Sequence, residues 1–111
     1  MLNYKKIISR LLDQNIYILS YDDIEAIIID PGLGFDLIDG HLKSENLSPI
    51  AVLATHAHID HIASANDCIK NYNIPFYICR GNSIMLDHYD VMKGYMHVDS
   101  EKPEVLSLIH I

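Results

Sequence analysis

The sequence predicts an α/β fold, and three observations carry that expectation. Short β-rich runs recur at residues 15–20, 25–30, 50–54 and 76–79. Apolar residues at helical spacing fill the segments 34–46 and 60–73 between the later runs. Such alternation describes strands joined by helical crossovers. Third, Thr55-His56-Ala57-His58-Ile59-Asp60-His61 sits where the run 50–54 ends and the helical segment begins. In α/β sheets, functional groups gather where strands end.

The elements follow in order. Residues 1–14 are ambiguous: Ile7, Ile8, Leu11 and Leu12 fit one face of a short helix, and an early strand fits nearly as well. Ile16-Tyr17-Ile18-Leu19 and the isoleucines of 27–29 flank the polar turn Asp22-Asp23, which reads as a β-hairpin. Asp30-Pro31-Gly32 ends it sharply, since proline has no ladder donor and glycine admits positive φ. Phe35, Ile38 and Leu42 then mark a helix, which Leu47-Ser48-Pro49 breaks. Ile50-Ala51-Val52-Leu53-Ala54 is too uniformly apolar to face water. Beyond the motif, Ile62, Ala65, Ile69 and Tyr72 form the buried stripe of a second helix, with Asn66, Asp67, Lys70 and Asn71 on its wet face. Pro75 opens the strand 76–79, residues 88–103 have no pattern, and 105–111 reads as a last short strand. There is no internal repeat and no linker, so the expectation is one small domain over residues 1–111.

Composition narrows the partners. Eight Lys and Arg stand against fifteen Asp and Glu, for a formal net charge of −7. That balance disfavours nucleic acid and anionic membranes, which attract basic stripes. The N-terminus carries lysines but no long apolar region after them, unlike a secretory signal. No apolar stretch reaches transmembrane length. The two cysteines, Cys68 and Cys79, form no C-x-x-C unit and read as buried free thiols. The expected location is the cytoplasm.

The chemistry concentrates in the motif. Imidazole and carboxylate suit zinc and similar divalent ions. His56 and His58 are two residues apart, so in an extended segment they project to the same side and can share one ion. Asp60 and His61 fall where the chain turns into a helix, and they suit a second ion nearby. A two-metal site with a bridging hydroxide would attack an ester, thioester, amide or phosphate. Asp30 reads equally as a partner or anchor near the metal loop and as a turn-former. Thr55 either bonds a ligand or caps the strand end. His41 reads as solvated, and His88 and His97 lack spacing logic as ligands.

Thr-His-x-His-x-Asp-His after an apolar strand, with Asp30-Pro31-Gly32 about 25 residues upstream, resembles the metallo-β-lactamase superfamily. The resemblance covers residues 15–86, and the general layout is similar to the hydroxyacylglutathione hydrolase (glyoxalase II-like) branch. It implies the N-terminal half of a four-layer αββα sandwich with metals at one edge of the sheets. It further implies that His56 and His58 bind a first zinc and that Asp60 and His61 bind a second, with iron or manganese as alternatives. Asp60 would also orient the bridging hydroxide, which makes it the catalytic residue. Ala63-Ser64 replaces the two glycines often found in the family, and both residues are small enough for close helix packing.

The family needs a third His, in a Pro-Gly-His-Thr segment, then a bridging Asp and a final His. The sequence ends at Ile111 before any such segment. Either His110 is the non-ligand histidine just upstream of it, or a shortened loop makes His110 the third ligand. Strand-then-loop order favours the first. The expectation is therefore a metal-dependent hydrolase, a thioesterase, present as an incomplete fragment acting on a small-molecule ester or thioester. The alternatives are an inactive remnant and a partner-dependent binding protein. Half a sandwich would also expose apolar surface through which the chain could self-associate.

Overall fold

Every second residue of Asn15–Tyr21 is buried: Ile16 and Ile18 at 0–1 % exposure and Ser20 at 7 %, while Tyr17 and Leu19 stay half-buried. That period of two is the signature of a strand with one face in a core. A computed structural model describes residues 2–10, 13–22, 24–55, 62–79 and 107–109; for Cys79 and 107–109 only the backbone is described.

Six strands and two helices appear among the described residues. The strands are β1 (Leu2–Ile8), β2 (Asn15–Tyr21), β3 (Glu25–Ile29), β4 (Ser48–Ala54), β5 (Phe76–Cys79) and β6 (Ser107–Ile109). The helices are α1 (Phe35–Ser44) and α2 (Ala65–Tyr72). One sheet holds the strands in chain order. β1, β2 and β3 run antiparallel as a meander, and β3 to β6 run parallel. The expected hairpin is β2–β3, with Tyr17 opposite Ile29 and Leu19 opposite Ile27.

Two local expectations change. The ambiguous N-terminus is a strand over Leu2–Ile8, paired along its whole length with β2. An isolated helical pattern yields here to a waiting sheet edge. Ser48 and Pro49 belong to β4 rather than to a break before it. Ala26 pairs with Pro49 and Ile27 with Ala51, so Ile50 is skipped. A bulge is where a sheet accommodates a proline that has no N–H to donate.

Both helices cover the same face. Ile38 and Leu42 of α1, Ala65 and Cys68 of α2, and Ile62 join Ile16, Ile18, Ile28, Val52, Phe76 and Ile78 in one core. The helices also meet directly. The Tyr72 hydroxyl donates to Asp39 Oδ1 at 2.7 Å, and the Phe35 and Tyr72 rings lie 5.7 Å apart. Lys43 Nζ sits 2.8 Å from Asp39 Oδ2. Asp13, Asp22, Asp30, Asn46 and Asn73 are the non-glycine residues with positive φ among those described. All are Asp or Asn, whose short polar side chains tolerate the left-handed region. No described helix is long and apolar enough to cross a membrane.

The opposite face of the sheet carries Tyr17, Leu19, Ile27, Ile29, Leu53 and Tyr77, each half-buried. Neither helix contributes to that face, because all their buried residues belong to the other core.

Candidate metal centre

β3 and β4 are parallel neighbours, so their carboxyl ends lie side by side. β3 runs into Asp30-Pro31-Gly32, and β4 runs through Thr55 into His56. The backbone N–H of Asp30 continues the sheet by donating to Leu53 O at 2.8 Å. At the next step the chain turns, with Asp30 at φ 52° and Gly32 N donating to Asp30 O at 2.7 Å.

The turn aims the Asp30 carboxylate at the neighbouring strand end. Oδ1 accepts from Thr55 N at 2.7 Å, and Oδ2 accepts from Thr55 Oγ1 at 2.6 Å. Asp30 is only 6 % exposed. A buried carboxylate is costly unless its lone pairs are filled, and this one is filled by Thr55. The two readings of Asp30 thus merge: it forms the turn and anchors the residue just before the motif. Thr55 holds the strand end through that anchor.

The far side of the motif is tied to the same segment. Ser64 N donates to Pro31 O at 2.8 Å, and Ser64 Oγ accepts from Gly34 N at 3.2 Å. Ile62, Ala63 and Ser64 are all at or below 2 % exposure. Small side chains at 63 and 64 permit this approach, as their sizes predict. Sequence reasoning missed the hydrogen-bonding use of Ser64, because its partner is 30 residues away.

A third tether adds the β1–β2 turn. Ser9 Oγ and Arg10 N both donate to Leu33 O, at 3.2 and 2.8 Å. The Arg10 guanidinium grips Asp36 through two contacts, one of them 2.8 Å, and holds that carboxyl below the usual range. No local pattern in the sequence announces this pair, since its members are 26 residues apart.

The predicted ligands His56, His58, Asp60 and His61 lie outside the described residues, as do His88, His97 and His110. Among the described residues, no group of three or more His, Cys, Asp or Glu could hold a metal ion. The described structure ties the two flanks, Thr55 and Ser64, to the segment 30–34. The donor set between them, three imidazoles and a carboxylate, is the chemistry that divalent first-row metals take. The residues present therefore fit a metal. Cys68 is not among them: it is a free thiol, fully buried, and burial pushes its pKa far above the ordinary thiol value. Such a thiol stays protonated and inert.

Two cavities lie toward the other end of the sheet. One of about 170 Å³ is lined by Lys5, Ser20, His41 and Glu45. Another of about 330 Å³ is lined by Asp39, Lys43, Ser48 and Tyr72. Both adjoin residues that precede or begin β4, whereas the motif follows its end. His41 is half-buried rather than fully solvated.

Known proteins resemble this chain in sequence and fold. Residues 9–110 match the model of the metallo-beta-lactamase superfamily. A hydroxyacylglutathione hydrolase of Buchnera aphidicola subsp. Schizaphis graminum is 42 % identical over 65 residues, which cover 59 % of this chain and 26 % of the relative. A probable metallo-hydrolase of Bacillus subtilis, YqgX, is 37 % identical over 67 residues, covering 60 % and 31 %. Among solved structures, the BLEG-1 B3 metallo-beta-lactamase superposes with a TM-score of 0.77 at 30 % identity, over 96 % of this chain and 53 % of that one. A protein solved in a di-iron-bound form, TTHA1623, superposes at 0.82 with 21 % identity and the same coverage. The chain thus spans about a quarter to a third of these two curated relatives and about half of the two solved neighbours. With a fold shared with solved metallo-beta-lactamases, a His-rich motif following β4 in sequence and a family model matched over residues 9–110, this chain belongs to the metallo-β-lactamase superfamily.

Proposed function

We propose that this chain supplies the metal-binding loop of a metal-dependent thioester hydrolase. The observation that carries the reading is the double anchoring of the loop. Thr55 on one side and Ser64 on the other are bonded to the same segment, 30–34, so both ends of the motif are tied to one place. Anchoring both ends of a ligand-bearing segment lowers the ordering cost of binding a metal.

His56 and His58 would hold one ion, and Asp60 and His61 a second. Zinc suits these donors best, and iron is a reasonable second choice given the di-iron neighbour. When bound, such ions polarise a carbonyl oxygen and bring water toward ionisation at neutral pH. Asp60 would orient the attacking water by accepting its proton in a hydrogen bond. The Asp30–Thr55 pair would fix where the loop starts. The thioester assignment rests on the Buchnera relative, whose name describes a thioester of glutathione as its substrate. The net charge of −7 argues against nucleic acid as substrate. A buried free thiol at Cys68 fits a reducing cytoplasm.

Metal counting by plasma mass spectrometry tests the site on the purified chain. Bound metal in the native chain and much less in His58→Ala is the expected result, and equal metal in both would refute the assignment. Hydrolysis of a hydroxyacyl thioester of glutathione by the metal-loaded chain tests the reaction. Metal binding without turnover would favour the reading of this chain as a binding or inactive form.

A further inference from the structure

The cavity lined by Lys5, Ser20, His41 and Glu45 lies on the helix side of the sheet, between the β1–β2 edge and the last turn of α1. Its floor is apolar: Ile18 and Leu47 are 1 % and 9 % exposed. Its rim carries both signs of charge, Lys5 from β1 and Glu45 just after α1, both exposed. Lys5 stands opposite Ile18 across the antiparallel pair, so it leans to the face that α1 covers. Glu45 N donates to His41 O at 3.1 Å, and this turn sets the two side chains, four residues apart, on one face.

The polar groups at this cavity are unfilled. Ser20 is only 7 % exposed, yet its hydroxyl meets no hydrogen-bonding partner among the described residues. A buried hydroxyl left alone is costly, and native interiors fill nearly all of them. The ion pairs among the described residues are Arg10–Asp36 and Lys43–Asp39. Lys5 and Glu45 thus flank one cavity without pairing to each other. We propose that the cavity binds a small zwitterion, an α-amino acid with a short apolar side chain. Its carboxylate would meet Lys5 and Ser20, its ammonium Glu45, and its side chain the floor of Ile18 and Leu47.

Size and charge select this class of ligand. Sites for drug-sized molecules start at about 300 Å³, so a cavity of about 170 Å³ suits a molecule of few heavy atoms. At about 30 Å³ per water, it has room for more than the single water that would fill Ser20. Glu45 disfavours a simple anion and Lys5 a simple cation, whereas a zwitterion offsets both. Hydrogen bonds to charged groups are also the strong ones. The lining residues all fall between Asn3 and Leu47, before the His-rich motif, so this proposal and metal binding can each fail alone.

Amide chemical-shift titration of the full chain with L-alanine, in metal-free buffer at neutral pH, tests it. Saturable shifts at Ser20, His41 and Leu47 are expected, with half-saturation near about 1 mM. Acetate, which has the carboxylate alone, should bind at least about fivefold more weakly. Glu45→Gln changes an exposed residue and leaves folding intact; it should weaken L-alanine about fivefold without weakening acetate. Ser20→Ala should weaken L-alanine without lowering the thermal midpoint, because the hydroxyl it removes has no partner in the fold. Lys43→Gln, at the other cavity, should change nothing in the titration. Absence of saturation up to about 50 mM would overturn the proposal. So would acetate binding as tightly as L-alanine, or native affinity in Glu45→Gln.

Discussion

Asp30 and Thr55, 25 residues apart in the chain, are joined by two hydrogen bonds of 2.7 and 2.6 Å from the threonine N–H and hydroxyl to the two carboxylate oxygens. Asp30→Ala should destabilise the fold by about 2–3 kcal/mol, because it removes both bonds to a carboxylate and places alanine at a φ of 52°. Thr55→Val removes one bond at nearly constant shape and should cost about 1 kcal/mol. Urea denaturation reads both. Under the proposed function, metal affinity should fall roughly 10–100-fold in Asp30→Ala while the four ligands remain.

Ser64 makes the second tether. Replacing it with alanine deprives the Gly34 N–H of its acceptor at a site 1 % exposed, and a loss of about 1–2 kcal/mol is expected. Ser64→Leu should cost more, since the site has no room for added methylenes. Thermal unfolding of the two variants side by side checks the order.

The Tyr72–Asp39–Lys43 cluster predicts a stability profile with pH. Hydrogen bonds from Lys43 and Tyr72 lower the Asp39 pKa, so its contribution is present above the ordinary value of 3.8 and fades as pH falls through the lowered one. Burial, followed by the bond to Asp39, raises the Tyr72 pKa. Its contribution is present below the ordinary value of 10.0 and fades as pH rises above it. Tyr72→Phe should cost about 1 kcal/mol at neutral pH and flatten the alkaline decline. Denaturation midpoints between about pH 6 and 11 reveal that flattening, with 10 as the reference tyrosine value.

Core substitutions should divide by face and depth. Phe76, 1 % exposed on the helix-covered side, should cost about 3–5 kcal/mol as alanine. Leu37, 38 % exposed, should cost under about 1 kcal/mol as alanine. Equal losses at both positions would contradict the placement of the core.

The strongly periodic elements were readable without a structure. Phe35, Ile38 and Leu42 announced α1, and the strand 76–79 is β5 residue for residue. The hairpin was legible because Asp22-Asp23 separates two β-rich runs. Residues 1–14 were not legible, because the same Ile7 and Ile8 satisfy either period and only pairing with β2 chooses between them. Pro49 suggested a break because the bulge that accommodates it depends on the register of β3.

The sequence by itself nominated His56, His58, Asp60 and His61 as candidate donors, because ligand chemistry depends on residue type and close spacing. It also determined the strand–motif–helix order that carries them. Only the tertiary structure decided what brackets those donors. Asp30 meets Thr55 and Ser64 meets Gly34 because the parallel β3 and β4 end side by side, and Arg10 meets Asp36 because the antiparallel meander brings the end of β1 to the same end of the sheet as that of β3. It likewise decided which apolar residues lie under the helices and which lie on the other face of the sheet. Alternation along a strand separates two faces, and only packing assigns one of them to the core.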